Sequence, residues 1–278
     1  MIRFLYKHIS VSALLIALTL SLIPSCTTVP ISGRQQFTMI PQRNMVSIGE
    51  EQYESFLEEH EIIEDTKEAE MVKRVGQRLA TAVTEYFTQA GMTEQAVNFD
   101  WEFNLIKEYT INAWCLPGGK IAVYSGILPI TKTETGLSVV MAHEIAHAVA
   151  QHGNERMTQA LLLQFGGIAL SEALESKTQA TKNLWQNIYG YGSTYGLIYP
   201  YSRRHEKEAD RLGLRFMAMA GYNPEKAVDF WQRMKKEKDG SSPPALLSTH
   251  PADDQRIEHI KKYIPSVMPH YKESANND

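Results

Sequence analysis

The stretch TGLSVVMAHEIAHAVAQ, residues 135–151, decides how this chain folds. Leu137, Val139, Val140, Met141, Ile145, Ala148 and Val149 fall on almost every side of a helix and leave no broad polar face. A helix with that pattern belongs in the middle of a domain. It also carries His143, Glu144 and His147, and ionisable groups in such surroundings are costly unless something compensates them. His143 and His147 are four residues apart, so both imidazoles lie on one face and reach a single ion. The pattern is H-E-x-x-H, a zinc peptidase signature. Zinc accepts neutral imidazole nitrogens in a tetrahedral site, and a catalytic zinc keeps one position for water. Glu144 lies about 100° round the helix from His143. It therefore points beside the ion, where a carboxylate takes a proton from water and returns it to the leaving amine.

A third protein ligand is needed, and the candidate is in His205-Glu206-Lys207-Glu208-Ala209-Asp210. Glu206 and Asp210 share a helix face. Glu206 is read as the metal ligand. Asp210 is read as the acceptor for the free ring N–H of a histidine ligand, which fixes that ring's tautomer. Glu208 points elsewhere and reads as a solvated charge. His152 and His205 read as structural or exposed. One zinc ion per chain is expected.

Composition narrows the class. Of 278 residues 43% are hydrophobic and 22% charged, an ordinary globular balance for one large domain. The net charge of -4 gives no basic field for nucleic acid. Arg3, Lys7 and His8 precede an uncharged apolar run, Val11 to Ile23, too short to span a bilayer comfortably. It ends at Pro24-Ser25-Cys26, which resembles a bacterial lipoprotein processing site with Cys26 as the lipidated residue. Residues 1–25 are thus expected to be a lipoprotein signal peptide. Residues 26–43 would be a tether and surface segment, 44–268 the folded domain and 269–278 a disordered tail. Only Cys115 remains in the mature chain, so no internal disulfide forms and the fold rests on its core.

The rest of the chain supplies the expected framework. Asp65 followed by Glu68 reads as a capping box before a long amphipathic helix carrying Val72, Val75, Leu79, Val83 and Tyr86. Phe99, Trp101, Phe103 and Leu105 alternate as a half-buried strand. Asn112 to Gly119 reads as a loop, and Lys120 to Tyr124 as a short strand. Residues 161–200 form a long insertion whose glycine-rich second half is a candidate lid. A helix from about Ser202 to Ala220 follows. Asn223-Pro224 opens another, and His250-Pro251 precedes a last short one. The fold class is α+β, mainly helical, with a small sheet.

These motifs resemble a known family. H-E-x-x-H followed on a later helix by E-x-x-x-D is the gluzincin arrangement. Ser202-Arg203 with Glu206-Lys-Glu-Ala-Asp210 is similar to the CAAX prenyl protease family, in its branch of BepA- and LoiP-like periplasmic and mitochondrial Oma-type peptidases. Asn112 to Gly119, Val29-Pro-Ile-Ser-Gly-Arg34 and Ser248-Thr-His-Pro251 resemble flanking motifs of that branch, so the resemblance runs from about Val29 to Ile264. It implies a zincin-like domain. It implies that Lys120, Ile121, Ala122, Val123 and Tyr124 form an edge strand that pairs with an extended substrate. It also implies that His250 can approach the zinc as a gate or fourth ligand. The expected function is zinc-dependent hydrolysis of misfolded or unassembled envelope proteins. The enzyme is expected to face the periplasm from a lipid anchor in the outer membrane. The alternative is a zinc-stabilised chaperone or assembly factor, for which a fixed fourth protein ligand would speak and Glu144 would not.

Overall fold

The structure, a computed structural model, describes residues 26–29, 32–165, 188, 202–238 and 244–271. The expected signal peptide, most of the expected lid and the end of the tail lie outside the described residues. A hairpin of β1 (Cys26–Thr28) and β2 (Gln35–Phe37) comes first. It leads to α1 (Gln42–Glu59), β3 (Ile62–Ile63) and α2 (Lys67–Gln89). β4 (Glu102–Ile106), β5 (Ala113–Leu116) and β6 (Lys120–Tyr124) complete a second sheet. The remaining main helices are α3 (Glu134–Val149), α4 (His152–Phe165), α5 (Arg203–Met219), α6 (Lys226–Lys238), α7 (Ala245–Thr249) and α8 (Asp254–Val267). The protein is mostly helical with small sheets. No helix among the described residues is long and apolar enough to cross a membrane.

α3 is the axis of the molecule. Thr133 caps it, its hydroxyl accepting from the Gly136 amide at 3.0 Å, and every residue from Gly136 to Val149 is buried. α5 crosses it closely. A Cβ on Gly213 would lie 3.1 Å from the Ala142 carbonyl carbon and 3.2 Å from the His143 amide nitrogen. Backbone meets backbone there, and the start of α5 is brought against His143 and His147. α2 packs on α3 as well, and its Gly76 lies flat on the Phe103 ring of β4. Its cap is Thr66, whose Oγ1 accepts from Ala69 N at 3.1 Å. Asp65 was expected in that role, but it stands one residue too early and adopts φ +53°.

The larger sheet has the order β3-β4-β6-β5. β4 and β6 run parallel, and β5 and β6 antiparallel. Alternate residues go to opposite faces, and both faces are buried. Phe103, Leu105, Ala113, Cys115, Ile121 and Val123 face the core around α2, α3 and α5. Ile106, Trp114, Leu116, Ala122 and Tyr124 face a second core with Met45, Tyr53 and Phe56 of α1. Two expectations are corrected. Lys120 to Tyr124 is an interior strand with a partner on each side, so it has no edge to offer a substrate. Ala113 to Leu116, expected as loop, is the strand at the sheet's edge beyond β6. Its four residues are all buried, so no polar–apolar alternation marked it.

The segment expected as a tether and surface segment, residues 26–43, buries several of its described side chains in the domain. Val29 is buried in the main core, and Arg34, Gln36, Thr38 and Ile40 are also buried. α4 latches the segment: Met39 N donates to Thr158 Oγ1 at 3.0 Å, and Asn154 Nδ2 donates to Ile40 O at 2.8 Å.

Candidate metal centre

His143, His147, Glu206 and His250 each turn one donor atom toward a common point, and these four atoms lie within 4.8 Å of one another. All four side chains are buried. α3 supplies the two histidines from successive turns. α5 supplies Glu206 from its first turn, where the Ser202 cap accepts from His205 N at 3.2 Å. His250 closes α7, its amide donating to Leu246 O at 2.8 Å.

The spacings fit a tetrahedral ion. Zinc ligands about 2.0–2.1 Å from the metal stand roughly 3.3 Å from each other. His143 Nε2 is 3.0 Å from His147 Nε2 and 3.4 Å from Glu206 Oε2. His147 Nε2 is 3.3 Å from Glu206 Oε1. His250 Nδ1 is 3.2 Å from His143 Nε2 and 3.0 Å from Glu206 Oε1. Charge points the same way. Glu144, Glu206 and Asp210 are buried around a single buried arginine, Arg256. Three carboxylates against one guanidinium leave room for a cation.

Glu144 lies beside the donors, not among them. Its Oε1 is buried with no hydrogen bond among the described residues, 3.5 Å from His250 Nε2. Burial raises its carboxyl to about 7, the His250 and Arg256 charges opposing and Glu206 adding to the rise. A base near that value suits proton transfer at neutral pH. Asp210 Oδ1 is 3.1 Å from His143 Nδ1, the contact expected of it. Arg256 holds Asp210 through Nε at 3.0 Å and Nη2 at 2.7 Å. It also donates to Pro251 O at 3.3 Å, which ties down the turn after His250.

Four residues that composition and spacing left aside join the site from behind. His152 Nδ1 is 2.8 Å from His147 Nδ1, and His152 Nε2 is 3.0 Å from Glu208 Oε2. Glu208 is only 5% exposed, contrary to the expectation of a solvated charge. Burial would raise it, but hydrogen bonds from His152, Ser32 and Arg34 outweigh burial and hold it at about 2. His152 is wholly buried and is lowered by that burial to about 4, so it is neutral. The apolar spacing of α5 offered one hint, since Glu208 precedes the buried Ala209. Composition and spacing did not mark Arg34 for the site, because its ionic partners Glu155 and Glu208 are more than a hundred residues away.

Residues 66–264 match the model of peptidase family M48. The mitochondrial metalloendopeptidase OMA1 of Schizosaccharomyces pombe is 37% identical over 172 residues, 60% of this chain and 48% of that protein. The human mitochondrial metalloendopeptidase OMA1 is 28% identical over 244 residues, 86% of this chain and 46% of that protein. A putative beta-barrel assembly-enhancing protease of Vibrio cholerae is 31% identical over 226 residues, 75% of this chain and 43% of that protein. The chain spans about half the length of the curated relatives it matches.

Proposed function

The chain belongs to peptidase family M48, and from that premise we propose that it is a zinc metalloendopeptidase of the bacterial envelope, cleaving extended stretches of misfolded or unassembled proteins. One observation carries the reading: His143, His147 and Glu206 stand at the mutual spacings of a tetrahedral ion, with Glu144 beside them. Zinc held there by these residues would supply a Lewis acid to polarise the scissile carbonyl and acidify water. Glu144 Oε1 takes the proton of that water and later delivers it to the leaving nitrogen. Asp210 keeps the His143 proton on Nδ1 and so leaves Nε2 to the metal.

Substrate adds to β5, the strand that replaces Lys120–Tyr124 in this role, once the cover over its four buried residues is displaced. β5 belongs to the sheet's outer edge, and its Cys115 lines, with His147, a cavity of about 10 Å³. An extended chain pairing there would lie alongside the metal ligands. The zincin label for the domain rests on the same arrangement of helix, donors and edge strand. His250 is the resting fourth donor: its loop leaves the site to admit water. The relatives divide between mitochondrial and bacterial proteins, and the apolar run of residues 11–23 ending at Ser25-Cys26 favours an envelope lipoprotein anchored through Cys26.

The test pairs zinc content with casein cleavage for the parent and Glu144→Gln. Both should hold one zinc, and the variant should lose about 10²- to 10⁴-fold in kcat, the usual worth of a general base. Zinc without cleavage in either protein favours the chaperone reading, unless His250→Ala releases activity. His250→Ala should keep its zinc and cleave faster; an unchanged rate removes the gate.

A further inference from the structure

The two histidine donors have differently built supports. His143 leans directly on Asp210. His147 has a neighbouring imidazole instead, with His152 Nδ1 2.8 Å from its own Nδ1. Two ring nitrogens at that distance share one proton, and the metal decides which ring carries it. A ligand whose Nε2 faces the ion bears its proton on Nδ1. His147 therefore donates and His152 accepts. His152, accepting on Nδ1, has its proton on Nε2, 3.0 Å from Glu208 Oε2. Arg34 Nε donates to that same oxygen at 2.6 Å, and the Ser32 hydroxyl donates to Oε1. Arg34 is itself held by Glu155 at 2.8 Å and Gln36 at 3.3 Å. Donation runs from His147 to His152 and from His152 to Glu208, and Arg34 donates to Glu208 from the other side, so the carboxylate anchors the whole chain of contacts. Every member is buried: Arg34 is 8% exposed, Glu208 5%, His152 0% and His147 2%.

Arg34 and Ser32 lie in the connection of the β1–β2 hairpin, outside residues 66–264 that match the family model. The hairpin thus reaches the back of the metal centre from outside the segment that the family model matches. We infer that Arg34 is a positioning residue for the metal: through Glu208 and His152 it orients His147 as a ligand, which makes the N-terminal hairpin part of the site. The inference rests on the metal reading above. Its physical content is that a ligand ring loses affinity when the partner fixing its tautomer is removed.

The test measures zinc affinity by chelator competition, and Tm with and without zinc, on the whole mature chain. Arg34→Ala and His152→Phe should each weaken zinc binding about 10- to 100-fold, as loss of a ligand's hydrogen-bond partner does. Arg34→Lys, which restores a positive donor at Glu208, should recover part of that loss. The control is Thr158→Val, which unlatches residue 39 from α4 without touching the chain of contacts. It should lower the zinc-free Tm and leave zinc affinity within about twofold, because no ligand partner is removed. His152→Phe keeps the ring volume, so it answers the question even where Arg34→Ala fails to fold. Arg34→Ala and His152→Phe proteins that lose Tm equally with and without zinc, at parental affinity, would overturn the inference and leave the metal reading standing. A parent that takes up no zinc would sink both.

Discussion

Gly213 shows how a residue without chemistry sets the site. It lets α5 lie against the backbone of Ala142 and His143, with room for a Cβ only at 3.1 to 3.2 Å. Alanine there gains about 1 kcal/mol of helix propensity. It also forces two packed backbones apart, and overpacking of this kind costs about 1–3 kcal/mol. The terms nearly cancel in stability, but they do not cancel in geometry. Glu206 and Asp210 ride on α5 and would move a few tenths of an ångström from His143. Gly213→Ala should therefore fold with a Tm close to the parent's and bind zinc about tenfold more weakly, a loss of the kind seen when a ligand's supports shift; calorimetric titration decides it, and parental affinity would refute the argument. At this scale the sequence was readable wherever partners sit one helical turn apart. His143 with His147 and Glu206 with Asp210 are such pairs. Glu208 and Arg34 were not readable in this way, because their pairing joins positions 174 residues apart.

The elements are joined by one exposed-to-buried charge cluster. Glu134, at the first turn of α3, accepts from Arg74 Nη2 of α2 at 2.6 Å and from the Tyr222 hydroxyl beyond α5 at 2.8 Å. Arg78 lies over the Tyr222 ring at 4.3 Å and donates to Ala220 O, the cap of α5. α2, α3 and the turn after α5 meet on one carboxylate. Burial alone would raise Glu134, yet the hydrogen bonds from Arg74 and Tyr222 and the charges of Arg74 and Arg78 leave it lowered from 4.5. The sign follows: a carboxyl depressed in the folded state adds stability at pH above 4.5, and that stability is lost as pH falls below 4.5. Glu134→Gln should cost on the order of 1 kcal/mol in urea melts at pH 7. The difference from the parent should shrink toward pH 3; a constant difference would assign the effect to packing. Helices of this kind were legible, since amphipathic spacing is local. The sheet was less so. Interior and edge strands differ in pairing, which no local pattern records, and that is why β6 was taken for the edge and β5 for a loop.

Across the whole molecule the donors come from three places in the chain. α3 gives His143 and His147, α5 gives Glu206, and the turn before α8 gives His250. An ion bound to all of them cross-links the centre of the fold. Without it, Glu144, Glu206 and Asp210 crowd around Arg256 in a buried space, where uncompensated carboxylates are costly. Binding to the folded state alone stabilises by about 4 kcal/mol when free zinc exceeds Kd a thousandfold. For a domain of this size that corresponds to roughly 8–16 °C in Tm. Stripping with a chelator should lower Tm by about that amount, and added zinc should restore it. Glu206→Gln should start near the stripped value and respond weakly to zinc, because one of the three bridging stretches has lost its charge. A chelator that left the parental Tm unchanged would mean the four donors hold their spacing by packing alone, and the metal would then have no part in keeping the two histidine turns, α5 and the His250 turn together.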